Sequence, residues 1–129
     1  MPGTESDHLN AGSVSSAISM AVADLLGQYT GRGPTEARTY INEDLIIVVL
    51  HDTLTGAERA IVRDGGVDLV LSARQAFQRA MEPDLIGTVE RLSGRTTMAC
   101  LSHNHLDPDI VVESFVLAPR TNGATVDKP

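Results

Sequence analysis

Cysteine and aromatic residues are scarce in this sequence of 129 residues, which contains one cysteine and no tryptophan. Because a lone cysteine, Cys100, cannot form a disulfide within the chain, the composition favours a reducing, cytoplasmic compartment. Two tyrosines and two phenylalanines offer few rings on which bases could stack. Basic residues are outnumbered, 10 against 17 acidic ones, which gives a net charge of -7. Such a surface repels phosphate backbones and anionic lipid heads, so we expect no nucleic-acid partner.

Long hydrophobic runs are absent as well. The longest strictly apolar run is Leu45–Leu50, whereas a bilayer-spanning helix needs ~20 residues, so we expect no direct membrane insertion. Residues 1–10 are polar and acidic and do not resemble a secretory signal. With 42% hydrophobic and 21% charged residues, the composition is typical of one globular domain. We assign this domain to residues 13–118 and expect mobile tails at 1–12 and 119–129.

Apolar spacing and turn residues predict seven elements in the order α-β-β-α-α-β-β. The first helix, at about 14–29, is predicted from apolar residues at three- and four-residue steps, with Ser13 as its N-cap and Gly31 at its end. A capping box formed by Thr55 and Glu58 begins the second helix, at about 56–63. Strands are predicted at 37–41, 45–50, 95–101 and 110–117.

The third predicted helix begins near Val67 and contains a proline. Because Pro83 removes a hydrogen bond and clashes with the preceding turn, we expect a break or kink near Glu82, followed by a further helical piece to about Leu92. The polar residues of its first half are expected mostly on the outward side: Arg74, Gln75, Gln78 and Arg79.

Strands that follow one another through short connections usually pair in antiparallel fashion. The predicted fold class is therefore α+β, with a four-stranded, mainly antiparallel sheet and helices packed on it. The strand Leu45–Leu50 is apolar at every position rather than at alternate ones, which predicts a central strand covered on both faces. Either a helix or another subunit must cover the second face, and we expect a homodimer.

A polar segment between the last two predicted strands is one candidate site. His103, His105, Asp107 and Asp109 lie in it, and together with His51 they could hold zinc or iron. The alternative is a polar loop whose Asn and Asp side chains bond their own backbone. Because neither an HExxH pattern nor a cysteine pair supports the metal interpretation, we predict no metal and no cofactor and keep the segment as a candidate polar loop.

The glycine-rich segment before the first predicted strand is a second candidate. Backbone amides at Gly31 and Gly33 could bind an anion, and Arg32 and Arg38 could add positive charge. However, this segment follows a helix and precedes a strand, the reverse of a phosphate-binding loop, so a structural turn stays the alternative.

Catalytic patterns are sparse. Cys100 lies mid-strand among apolar neighbours, where a buried, inert thiol is expected. Ser102, His103 and Asp107 are the residue types of a triad, but neighbours in sequence seldom form one and no nucleophile elbow is present. We therefore expect a protein that is not an enzyme, with a small hydrolase only as the third interpretation.

Two groups of motifs resemble the MpsC family. The first contains Gly31-Arg32-Gly33-Pro34, Ala37-Arg38-Thr39-Tyr40, Leu45–Leu50 and Asp52-Thr53-Leu54-Thr55 with Glu58; the second contains Leu92-Ser93-Gly94-Arg95, the segment 102–109 and Glu113–Leu117. The similarity covers about residues 14–118. It implies a small accessory protein beside the membrane subunits of a bacterial system that moves cations and generates membrane potential, and it implies no catalytic residues.

The leading interpretation is thus a non-enzymatic, cytoplasmic accessory or regulatory protein, a homodimer associated with membrane ion-transport subunits. The alternative is a sensor that binds a small anion or a metal through Arg32, Arg38 and the segment 103–109.

Overall fold

The computed structural model describes residues 11–120. Three helices and four strands follow one another in the predicted order, and the α+β class is confirmed. The elements are α1 (Ala11–Thr30), β1 (Glu36–Asn42), β2 (Leu45–His51), α2 (Gly56–Arg63), α3 (Val67–Ser93), β3 (Thr97–His105) and β4 (Ile110–Leu117). The predicted tails, 1–12 and 119–129, lie mostly outside the described residues, although residues 11 and 12 belong to α1.

The four strands form one sheet in the order β1-β2-β4-β3, and every neighbouring pair is antiparallel. The predicted central position of the run Leu45–Leu50 is confirmed, because β2 lies between β1 and β4. The two central strands are also the two richest in β-branched residues, which pack well on a pleated surface.

Both long helices pack on the same face of the sheet. The core comprises residues of α1 and α3 (Ile18, Val22, Leu26, Met81, Leu85 and Val89) and of β2 and β4 (Ile46, Val48, Leu50, Val111, Phe115 and Leu117). Alternate residues of β2 are buried and half-buried, so only one side of this strand is fully covered. Within residues 11–120, the second face therefore lacks the helix that was one of its two predicted covers.

Of the predicted break or kink near Glu82, the break is wrong, since α3 runs without interruption through Pro83. Apolar side chains on both sides of the proline, Met81 and Leu85, are buried in the core, and this packing holds the two halves in one helix. The outward placement of Arg74 and Gln78 is also wrong, because both side chains are buried. They lie at helical spacing on the stripe that carries Met81 and Leu85, where each finds a polar partner.

The third strand is longer than predicted and takes in half of the polar segment. β3 extends to His105 because β4 continues to pair with it there, His103 with Val112 and His105 with Ile110. Only residues 106–109 form the turn.

The predicted ends of the helices are mostly confirmed. Gly31 adopts a positive φ of 81° after α1, and Thr55 and Glu58 form the predicted capping box of α2. Gly94, with a φ of 71°, ends α3 in the left-handed conformation that glycine tolerates best. Ser13 lies inside the first turn of α1 rather than before it.

Candidate functional site

The sheet face turned away from the helices, here called the open face, has no covering element among residues 11–120. Strand register places its residues in four cross-strand rows. In the order β1, β2, β4, β3 they are Glu36, His51, Ile110, His105; Arg38, Val49, Val112, His103; Tyr40, Ile47, Ser114, Leu101; and Asn42, Leu45, Val116, Ala99. Side chains alternate between the faces of a strand, so these residues share one side of the sheet.

The two ends of the open face differ in chemistry. The last two rows, here called the apolar end, include Tyr40 and Leu101, whose side chains are 54% and 45% exposed. The central residues of this end, Leu45 and Ile47, are only half-buried, whereas Val48, which points to the helices, is fully buried. An exposed cluster of apolar and aromatic side chains on a sheet face is typical of a protein–protein contact.

The first two rows form the histidine end of the open face. Three of the four histidines of the chain lie here: His51, His103 and His105. The Arg38 guanidinium forms an exposed ion pair with Glu36 across 2.7 Å. His105 Nδ1 lies 2.7 Å from the Pro108 carbonyl oxygen, and since a carbonyl only accepts, this nitrogen carries the proton of the neutral ring.

The residues of the predicted polar loop do not come together. His103 and His105 lie on the open face, whereas Asp107 is exposed in the turn. The Asp109 carboxylate has other partners: it accepts hydrogen bonds from the Thr53 hydroxyl at 3.1 Å and from the Leu54 amide at 2.8 Å. This carboxylate therefore joins the beginning of β4 to the segment after β2.

The predicted anion site is also divided. The exposed Arg32 donates from Nε to the backbone oxygen of Asp52 at 3.3 Å, while Arg38 pairs with Glu36 on β1. The positive φ of Gly31 serves the end of α1, where the Gly31 amide donates to the Gly27 oxygen. Each of the two arginines thus has a separate structural contact.

A match to a family model over residues 10–119 accounts for nearly the whole chain; the family is described as Na+-translocating membrane potential-generating system (MpsC). The chain belongs to the MpsC family. Neither the comparison with curated proteins nor the comparison with solved structures gave a match. The role of individual residues in this MpsC chain is therefore argued from its own geometry.

A polar network at one end of the MpsC fold was missed by the sequence analysis, which placed Arg74 outside. Arg74 is only 1% exposed, and its guanidinium bonds both Glu58 carboxylate oxygens and both oxygens of Thr53. Partial burial alone would raise the pKa of Glu58, but the hydrogen bonds and charge of Arg74, with the Thr55 amide, hold it below its usual value. The capping box at Glu58 was the one visible signal, because an acid at a helix start attracts a cation.

A second polar cluster lies beneath α3 on the helix side of the sheet. Glu113 is 1% exposed and accepts a hydrogen bond from the Ser102 hydroxyl. Desolvation raises the pKa of Glu113 to about 7, against the effect of the Ser102 hydrogen bond and together with the nearby charge of Glu82. Burial and the same two acids raise the pKa of the Cys100 thiol to about 12, which disfavours the reactive thiolate.

Within residues 11–120, no three His, Cys, Asp or Glu side chains are grouped closely enough to hold a metal ion. None of the helices in that same part of the MpsC chain combines the length and the apolar character needed to cross a bilayer.

Proposed function

We propose that this MpsC-family chain is a non-enzymatic, cytoplasmic accessory protein that acts as a homodimer beside the cation-translocating subunits of a membrane-potential-generating system. The open face carries this proposal. It offers an apolar surface for another protein, and its charged residues Glu36 and Arg38 neutralise each other. Such a face suits a second copy of the same chain, because the same apolar surface without net charge is present on both partners.

The size of the open face is close to the lower limit for a specific dimer. Four strands of about seven residues, spaced about 4.8 Å apart and rising about 3.4 Å per residue, give a face of roughly 450 Å² in projection. Two such faces would bury roughly 900 Å² before the relief of the side chains is counted, and specific interfaces begin at about 1,000 Å². The resulting dimer would be a sandwich of two sheets with the helices outside.

The satisfied polar networks support a role other than catalysis. The Arg74 guanidinium donates hydrogen bonds to Glu58 and Thr53, and the Asp109 carboxylate accepts hydrogen bonds from Thr53 and Leu54. A general base or a nucleophile needs a partner that reaches the substrate instead. The sensor and hydrolase interpretations receive no comparable support, since the residues on which they depend lie in separate contacts.

The transport association is supported by the description of the family. A pull-down from the native host tests it, with the tagged chain as bait and quantitative analysis of membrane proteins. We expect reproducible recovery of a cation-translocating membrane subunit. Recovery of none in repeated experiments would remove the transport association and leave the dimer as a separate question.

Light scattering coupled to size exclusion tests the dimer. We expect the wild-type chain to be dimeric at tens of micromolar near neutral pH and Ile47→Lys, at the centre of the open face, to be monomeric with unchanged circular dichroism. Leu69→Lys is the matched control, because Leu69 is 63% exposed but lies on α3. A monomeric wild-type chain, or a dimeric Ile47→Lys variant, would contradict the proposed interface.

A further inference from the structure

We propose that the free edge of β3 binds a basic, extended segment of a partner protein, which adds to the sheet as a fifth strand beside α3. The inference goes beyond the proposed homodimer, because this edge is not part of the open face and stays accessible when two open faces pack together. It starts from the strand order β1-β2-β4-β3, in which no strand among residues 11–120 lies beyond β3.

Two backbone hydrogen bonds show which groups of β3 point to the free edge. The Ala118 amide donates to the Thr96 oxygen at 2.8 Å, toward β3. The Leu117 amide donates to the Asp44 oxygen at 2.8 Å, toward β2. Successive residues of a strand turn their backbone groups to opposite sides, so every second residue of β4 counted back from 118 bonds β3. By the register, their partners are Ala99, Leu101, His103 and His105. The residues between these partners therefore each turn an N–H and a C=O group to the free edge. They are Cys100, Ser102 and Asn104.

β3 lacks the features that usually keep a strand edge from pairing. Natural edge strands are protected by charged side chains, by proline or by short length. β3 runs over nine residues and contains no proline, acid, lysine or arginine, and its bulge lies at one end, between Thr97 and Ala99. β1, the other edge, is seven residues long and carries Glu36 and Arg38. β3 is therefore the edge that is open to a further strand.

A groove on the flank of α3 runs along this edge. Two contacts place the flank beside β3: the Glu90 carboxylate accepts the Thr97 amide at 2.8 Å, and the Gln78 amide nitrogen donates to the Asn104 side-chain oxygen at 2.8 Å. An added strand about 4.8 Å beyond β3 would direct every second side chain to this groove. The groove has a volume of about 560 Å³ and is lined by Arg79, Glu82, Pro83, Ile86, Gly87 and Glu90.

The side chains of the groove select the chemistry of the segment. Glu82 is half-buried, and no cation of the described residues pairs with its carboxylate. Ile86 and Glu90 follow it at steps of four residues, about 6 Å along a helix, which nearly matches the rise of about 6.8 Å over two strand residues. An added strand would thus fit with basic, apolar and basic residues at alternate positions. Arg79, the one cation of the groove, lies at its other end.

The probe is an acetylated and amidated peptide with this pattern, Thr-Arg-Thr-Val-Thr-Arg-Thr, followed by amide hydrogen exchange in the wild-type chain. We expect saturable binding below ~1 mM. The amides of the three edge residues of β3 should exchange more slowly with the peptide, whereas those of β1 should not change. The same peptide with Glu in place of both Arg residues should bind at least about tenfold more weakly.

Backbone methylation separates strand addition from a contact through side chains alone. Every neighbouring pair in the sheet is antiparallel, and residues that exchange hydrogen bonds in such a pair have side chains on the same face. The amides of the Arg and Val residues of the peptide would therefore bond β3, and those of the Thr residues would not. N-methylation of Arg and Val should weaken binding at least about tenfold. N-methylation of the inner Thr residues should change it little.

A charge reversal in the chain tests the groove itself. Glu82→Lys should weaken binding of the basic peptide at least about tenfold, because it places like charges together. Asp24→Lys is the matched control, since it changes the net charge equally at an exposed position of α1 and should leave binding unchanged. Circular dichroism shows whether both variants are folded, and the peptide series decides the question in the wild-type chain if Glu82→Lys is not.

The failures of this proposal and of the homodimer are separate. Absence of binding up to ~1 mM, equal binding of the basic and acidic peptides, or equal binding of the two methylated peptides overturns strand addition. Slow exchange of the three edge amides without peptide also overturns it, because a second copy or another segment of this chain would then occupy the edge. A chain that is monomeric in light scattering but binds the basic peptide overturns the homodimer alone.

Discussion

The Arg74 guanidinium and the Glu58 carboxylate form a two-pronged ion pair between α3 and α2, with Nε to Oε2 at 3.0 Å and a terminal nitrogen to Oε1 at 2.9 Å. The same guanidinium bonds Thr53, whose hydroxyl donates to Asp109 at the start of β4. The buried Arg74 guanidinium thus connects Thr53, just after β2, with Glu58 in α2. An arginine suits this position because its planar fork matches a carboxylate at two points.

Arg74→Met is expected to lower the free energy of unfolding by about 3 kcal/mol, because it leaves Glu58 and Thr53 without their partner. Arg79→Met, on the exposed side of the same helix, should change it by less than about 0.5 kcal/mol. Urea unfolding measures both. Equal effects of the two substitutions would show that the network contributes nothing specific.

Asp109→Asn should lower the free energy of unfolding by about 1–3 kcal/mol, since Asn keeps the shape but weakens the bonds from Thr53 and Leu54. A chelator distinguishes a structural carboxylate from a metal ligand, because removal of a metal changes the stability only in the second case. We expect the same melting temperature of the wild-type chain with and without a chelator, and the same loss in the variant under both conditions. A loss that disappears in the chelator would indicate a metal-bound Asp109.

Glu113→Gln should stabilise the fold at high pH. Because the folded chain raises the pKa of Glu113 from 4.5 to about 7, it binds this proton more tightly than the unfolded chain does. The stabilising effect of protonation is complete below about pH 4.5 and is lost as the pH rises through about 7. A shift of this size corresponds to about 3 kcal/mol. The free energy of unfolding of the variant should therefore exceed that of the wild type above pH 7 and equal it near pH 4.5.

The measurement is urea unfolding across this pH range, in the Ile47→Lys background, which is expected to be monomeric, so that dissociation does not contribute. Asp24→Asn, an exposed acid on α1, is the control and should show no such pH-dependent difference. If the gain of Glu113→Gln were independent of pH, the buried acid would be ionised or neutral throughout.

Gly94, which caps the end of α3, and Gly87, which lies inside it, should respond in opposite directions to alanine. Gly94→Ala should destabilise by about 1 kcal/mol, because residue 94 has a φ of 71° and a side chain disfavours that conformation. Gly87→Ala should stabilise by about 0.5–1 kcal/mol, because an added Cβ meets nothing within 4 Å and alanine favours a helix. Thermal melting tests the pair, and a common sign would contradict this explanation.

Local signals determined most of the element order. Periodic apolar residues, the capping box at Thr55 and Glu58, and glycines 31 and 94 act within a few residues, so they are visible in the sequence. The MpsC resemblance was likewise visible and is confirmed by the family match. The break at Pro83 was wrong because packing of Met81 and Leu85 on the sheet outweighs the local cost of the proline.

The sequence by itself determined the fold class, the strand order along the chain and the apolar character of β2. Only the tertiary structure decided that Arg74 is buried, that Asp109 turns away from the histidines, and that His51 shares a row with His105. The physical reason is distance along the chain. The order of the strands within the sheet, their register and the burial of a charge depend on partners many residues away, and no local pattern specifies which partner a side chain will find.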